Sequence, residues 1–134
     1  MENKNNKSFS CETIRPVRPS FYEILEEVKV QVEFDCFKDR EKAQANEICL
    51  IITEVMKLNP ENEIKIAGVM LSVGMVQEVY GSLENDHIAL VLENFQKVTY
   101  EIRNKKAYLR TAIYNAVFEF ESHYENQYRK DFGI

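Results

Sequence analysis

The stretch DREKAQANEICLIITEVMKLNP, residues 39–60, decides the fold class. Within it Ala45, Ile48, Cys49, Ile52, Val55 and Met56 recur at steps of three and four residues. That spacing lays apolar side chains along one face of an α-helix. Asp39 is placed to cap its start. Asn59-Pro60 ends it, because proline has no N–H to give and biases the preceding residue away from helical backbone. A long amphipathic helix must bury its stripe against other elements, so the chain on either side is read for partners.

Toward the N-terminus, Ser20 followed by Glu23 is a capping-box signature, and Phe21, Ile24, Leu25, Val28 and Val32 keep helical spacing. A first helix is expected there. Val28, Val30, Val32 and Phe34 also alternate as a strand would, so this stretch reads either way. Residues 1–20 are rich in Asn, Lys and Ser, contain Pro16 and Pro19, and show no apolar period; they read as a flexible lead, with a single domain over residues 21–134.

Toward the C-terminus, Glu63-Ile64-Lys65-Ile66 alternates, Gly68 can supply a positive-φ turn, and Val69-Met70-Leu71 returns, which predicts a small β-hairpin. Ser72 offers an N-cap for a short helix through Tyr80, stopped by Gly81. Another helix starts near Asn85 or Asp86, with Ile88, Val91, Leu92, Phe95 and Val98 on one stripe and Glu93 and Lys97 as an i,i+4 pair. A further helix follows Asn104, with Leu109, Ile113 and Ala116 apolar. Tyr124, Tyr128 and Phe132 then suit a separate short helix closing at Gly133. The chain is thus expected to be mainly α, a compact domain of about five to six helices with one β-hairpin.

Composition agrees with one core. With 134 residues, 45% hydrophobic and 29% charged, the chain is long enough to fold without staples. Cys11, Cys36 and Cys49 are odd in number and contain no C-x-x-C pair, which fits neither a disulfide framework nor a zinc ribbon. No apolar run reaches the roughly eighteen residues of a membrane span, and a cytoplasmic location is expected. The net charge of −5 disfavours a protein whose whole surface clings to nucleic acid.

Two segments go beyond periodicity: His87-Ile88 with Val91-Leu92, and Ile102-Arg103-Asn104 through Lys106-Ala107-Tyr108-Leu109 to Thr111-Ala112-Ile113-Tyr114-Asn115-Ala116. Helical period explains only the apolar positions of the second. With the order of elements, these segments make residues 34–133 resemble the C-terminal domain of replication initiator protein A from Gram-positive plasmids and related mobile elements. The resemblance implies a helical fold similar to the DnaD replication-restart domain and a role in replication initiation. The implied partners are host replication proteins of the helicase-loading or primase machinery, and single- or double-stranded DNA. The DnaD-type signature, Tyr followed at four and eight residues by Ile and Trp, stands here as Tyr108, Ala112 and Ala116.

Candidate binding residues cluster in the same segment. From Lys97 to Arg110 there are five basic residues and one acidic residue, Glu101, with Tyr100 and Tyr108 interleaved and Tyr114 just beyond. Such a patch can neutralise phosphates while aromatics stack on bases. Arg103, Lys105, Lys106, Tyr108, Arg110 and Tyr114 are therefore the candidate nucleic-acid or partner-binding residues. A solvated basic face or a docking surface is the other reading, since Lys106 and Arg110 share a helical face from which Tyr108 points away. No phosphate-cradling glycine motif is present, Cys36 or Cys49 with His87 lacks any flanking nucleophile motif, and Glu26-Glu27 and Glu119 with Glu121 read as surface charge. No catalytic residue, cofactor or metal site is expected. The function expected is a non-catalytic replication-associated module. The alternative is a self-associating module that buries exposed tyrosines and the tail from Phe118 to Phe132 against a second copy.

Overall fold

A computed structural model describes the backbone of residues 19–132 and the side chains of residues 19–119. The readings placed on residues 1–18, Cys11 among them, on Gly133, and on the side chains of His123, Tyr124, Tyr128 and Phe132 lie outside the described residues. In chain order the elements are α1 (Phe21–Gln31), a 3₁₀ turn (Phe34–Cys36), α2 (Asp39–Lys57), β1 (Glu63–Ile66), β2 (Val69–Ser72), α3 (Val73–Tyr80), α4 (Asn85–Gln96) and α5 (Lys105–Phe132). The domain is mainly helical, as its periodicity requires.

The capping box at α1 is present: the Glu23 N–H donates to Ser20 Oγ at 3.2 Å, and the Ser20 N–H donates to Glu23 Oε1 at 2.7 Å. The strand reading of residues 28–34 fails. Val28 and Val32 are buried whereas Val30 is 76% exposed, which is a helical stripe and not one face of a sheet. The start of α2 also differs from expectation. Asp39 is the first helical residue and Lys38 the cap, its N–H bound by Glu41 Oε1 at 3.2 Å. A residue inside the first turn no longer offers its side chain to the N–H groups two and three residues on.

The middle of the domain is α2, which packs against α1, α3, α4 and α5. It buries Ala45, Ile48, Cys49, Ile52 and Val55 as its spacing predicts, and also Ile51 and Thr53. Flanking helices widen the buried arc beyond one stripe, and the Thr53 hydroxyl is satisfied by donating to the Cys49 carbonyl at 2.8 Å. The hairpin pairs Glu63 with Ser72 through Ile66 with Val69, antiparallel. Ala67 and Gly68 at its tip have φ of 54° and 80°, the two left-handed residues that let a two-residue turn follow strand twist. Ser72 caps α3 by accepting the Met75 N–H at 3.2 Å, and α3 stops before Gly81.

The last two helices pack closely against each other. Ile88, Val91 and Leu92 of α4 meet Leu109, Ile113, Ala116 and Val117 of α5 in the common core. The expected separate C-terminal helix is instead the continuation of α5, which runs unbroken for 28 residues. Nothing between Val117 and Tyr124 is a glycine or proline, so no residue there breaks the helical backbone.

Candidate functional site

Asn104 starts the longest helix by capping it: its Oδ1 accepts the Ala107 N–H at 3.0 Å. From there the sequence of α5 divides by face. Leu109, Ile113, Ala116 and Val117 enter the core. Asn104, Ala107, Tyr108, Thr111, Ala112, Asn115 and Glu119 form the other face and floor an open cleft of about 600 Å³. Its walls are Lys65, Ala67 and Gly68 of the hairpin on one flank, Val91 and Asn94 of α4 on the other, and Arg110 at the edge. Small side chains at Ala107, Thr111 and Ala112 give the cleft its depth.

The hairpin wall is fixed by one side chain. Ala67 donates its N–H to Thr111 Oγ1 at 3.0 Å, which pins the tip of the turn to α5. Behind the floor, Tyr80 is fully buried at the end of α3, and its hydroxyl donates to the Arg110 carbonyl at 2.7 Å. Burial drives the Tyr80 hydroxyl well above the usual tyrosine range, with the nearby Arg110 charge opposing.

The candidate residues of the basic segment do not form one surface. Lys105 pairs with Glu47 of α2 at 3.1 Å, its ammonium 5.3 Å from the centre of the Phe95 ring. Lys106 pairs with Glu54 of α2 at 3.2 Å. These two lysines tie α5 to α2 and are locally neutralised. Tyr108 lies in the cleft, its ring 6.0 Å from that of Phe95. Burial raises its pKa above the ordinary value, as do Tyr100, to which it is hydrogen-bonded, and Glu119. Arg103 is exposed and outside the cleft lining, and Tyr114 is half-buried with its ring 5.5 Å from Phe118. Arg110 alone of the candidate cations borders the cleft.

What the charge pattern missed was carried by a different signal. Asn104, Ala107, Tyr108, Thr111 and Asn115 recur at three- and four-residue steps, a stripe of small and polar residues on the face that is not core. Lys65 and Asn94 come from distant elements, and nothing in their local sequence marks them.

Chemistry elsewhere is structurally occupied. The Cys49 thiol is buried and pushed up to about 11 by that burial, so it stays protonated near neutral pH. His87 uses Nδ1 to accept the Glu84 N–H at 2.9 Å, closing the start of α4. Among the described residues no group of three or more His, Cys, Asp and Glu side chains is placed to hold a metal ion. No helix among them is long and apolar enough to cross a membrane.

A family model described as a family of unknown function, DUF6017, matches residues 6–133. No curated protein and no solved structure matches the chain.

Proposed function

Given that the chain belongs to the DUF6017 family, we propose that it is a non-catalytic module of DNA replication initiation on a plasmid or mobile element, docking a host replication protein in the cleft over α5. The observation that carries this reading is the division of labour within residues 104–116. Of the residues beyond the apolar period that make this segment resemble the replication initiator domain, Asn104, Ala107, Tyr108, Thr111, Ala112 and Asn115 line the cleft, whereas Arg103, Lys106 and Tyr114 do not. Asn104 caps α5 and Thr111 pins the hairpin tip, but core packing needs neither Ala107 to be small nor Asn115 to be polar. A concave surface that admits another chain does.

Direct DNA binding is the weaker part of the reading. Two of the segment's basic residues spend their charge on Glu47 and Glu54, and the chain carries 22 acidic against 17 basic residues. Phosphate neutralisation needs free cations in series. Self-association has its own support in Phe118, which is half exposed beside Tyr114.

The test uses the purified full chain against purified primase, replicative helicase and helicase loader of a Gram-positive host, with single- and double-stranded DNA in parallel and sedimentation as a control. Asn115→Trp is exposed on the helix and fills the cleft without touching the core. Micromolar binding to one replication protein, weakened about tenfold or more by Asn115→Trp, is the expected result. Binding to none of them sinks the replication reading.

A further inference from the structure

Two cations without ion-pair partners among the described residues line the cleft. Arg110 is half-buried, and its Nε has no hydrogen-bond partner although no solvent reaches it. An unmatched N–H of a charged group is costly, and since this Nε is enclosed, an acceptor meets it once the guanidinium turns toward the cleft it borders, where a carboxylate would hold it. Lys65, from β1, lines the same cleft, and neither cation has an ion-pair partner among the described residues. Among the described lining residues the one carboxylate, Glu119, lies nine residues further along α5, about 13 Å along the axis and on the opposite side of the helix from Arg110.

The neutral groups have a different character. Asn94 and Asn115 make no side-chain hydrogen bond to a described residue, and Asn104 spends only its Oδ1, on the Ala107 N–H. A side-chain amide offers the donor and acceptor that a peptide bond needs, and the Ala107 and Ala112 floor lets a backbone come close. Two cations are too few to track a phosphate backbone, where each neutralised phosphate takes a positive side chain.

We propose that the cleft binds an extended acidic peptide segment of the partner protein, whose backbone lies over the Ala107–Ala112 floor between the asparagines and whose carboxylate pairs with Lys65 and Arg110. This rests on the docking role assigned above to the cleft and gives its occupant a chemistry.

The experiment titrates the full, isotope-labelled chain with a fluorescein-labelled peptide of alternating Asp and Ala, its Asn-for-Asp counterpart, and a short oligothymidylate. Anisotropy gives affinity; the Ala67 and Gly68 amide signals and the Arg110 Nε–H signal report the place. The acidic peptide is expected to shift all three signals and to bind about fivefold more weakly to Lys65→Gln, an exposed substitution that leaves the core intact. Equal affinity for the Asn counterpart, an unchanged affinity in Lys65→Gln, tighter binding of oligothymidylate at the same signals, or no shift by any probe each overturns it. The two readings fail separately. Replication-protein binding lost in Asn115→Trp but intact in Lys65→Gln removes the acidic peptide and keeps the cleft, whereas acidic-peptide binding with no affinity for any replication protein does the reverse.

Discussion

Tyr80 joins the core to the cleft floor through a single hydroxyl. Tyr80→Phe keeps the ring and removes the bond to the Arg110 carbonyl. That carbonyl retains its own helical donor, so the expected loss is about 1 kcal/mol in urea denaturation. Alkaline stability follows from the same residue. Burial raises Cys49 from 9.0 to about 11 and drives Tyr80 well above its ordinary 10.0. Folded-state pKa values above the unfolded ones mean that the stability they contribute is complete below pH 9 and declines as pH rises through 9 and 10 toward the folded values. The wild type should therefore weaken steadily above pH 9, and Tyr80→Phe less steeply. Parallel pH slopes for the two proteins would show that Tyr80 is not the group responsible.

Three amide side chains stop helices that the sequence leaves without a glycine cap of the left-handed kind. Gln31 of α1 donates from Nε2 to the carbonyls of Tyr80, Gly81 and Leu83 at 3.1, 3.3 and 2.9 Å, closing α3. Gln77 of α3 donates to Val55, Met56 and Leu58 at 3.0, 3.3 and 2.9 Å, closing α2. Asn85, opening α4, reaches Val32 and Glu33 beyond α1 at 3.0 and 3.5 Å. The last four carbonyls of a helix lack internal partners, and here each of these helices borrows a donor from another. Gln77→Leu should cost about 1–3 kcal/mol because it strands carbonyls that are partly buried. Gln77→Glu should cost at least as much, since a carboxylate facing carbonyl oxygens is an acceptor against acceptors. A Gln77→Leu midpoint in urea equal to that of the wild type would mean that water replaces the cap. The hairpin offers the converse change. Ala67 holds a left-handed φ of 54°, a conformation that costs a non-glycine residue roughly 1–2 kcal/mol. Ala67→Gly should leave the melting temperature unchanged or raise it, while keeping the N–H bond to Thr111.

At the scale of the whole molecule, two ion pairs between helices neutralise the basic start of α5. Lys105 and Lys106 face Glu47 and Glu54 from half-exposed positions, and such pairs contribute about 0–1 kcal/mol each. Replacing both lysines by alanine should lower stability only slightly and leave DNA affinity at physiological salt essentially unchanged, read by thermal denaturation and by anisotropy with labelled DNA. A large fall in DNA affinity would return the basic segment to the role its sequence suggests and displace the cleft.

Much of the architecture is present in one dimension. The Ser20 box, the stripe of residues 45–56, the Gly68 turn, the Ser72 cap and the Asn104 start are local, because each rests on residues within a single helix or one hairpin, where spacing and side-chain chemistry suffice. Other features were decided only by packing. Val30 is exposed because α1 turns it away from the core. Ile51 and Thr53 are buried because α2 is surrounded on several sides. The site divides the same way. The small and polar stripe from Asn104 to Asn115 is legible in the sequence, since a single helix generates it. The company it keeps is not. Lys65 from a hairpin and Asn94 from another helix reach the cleft, and Glu47 and Glu54 cancel the lysines, only once elements some ten to sixty residues apart in sequence have been brought side by side by burial of the common core.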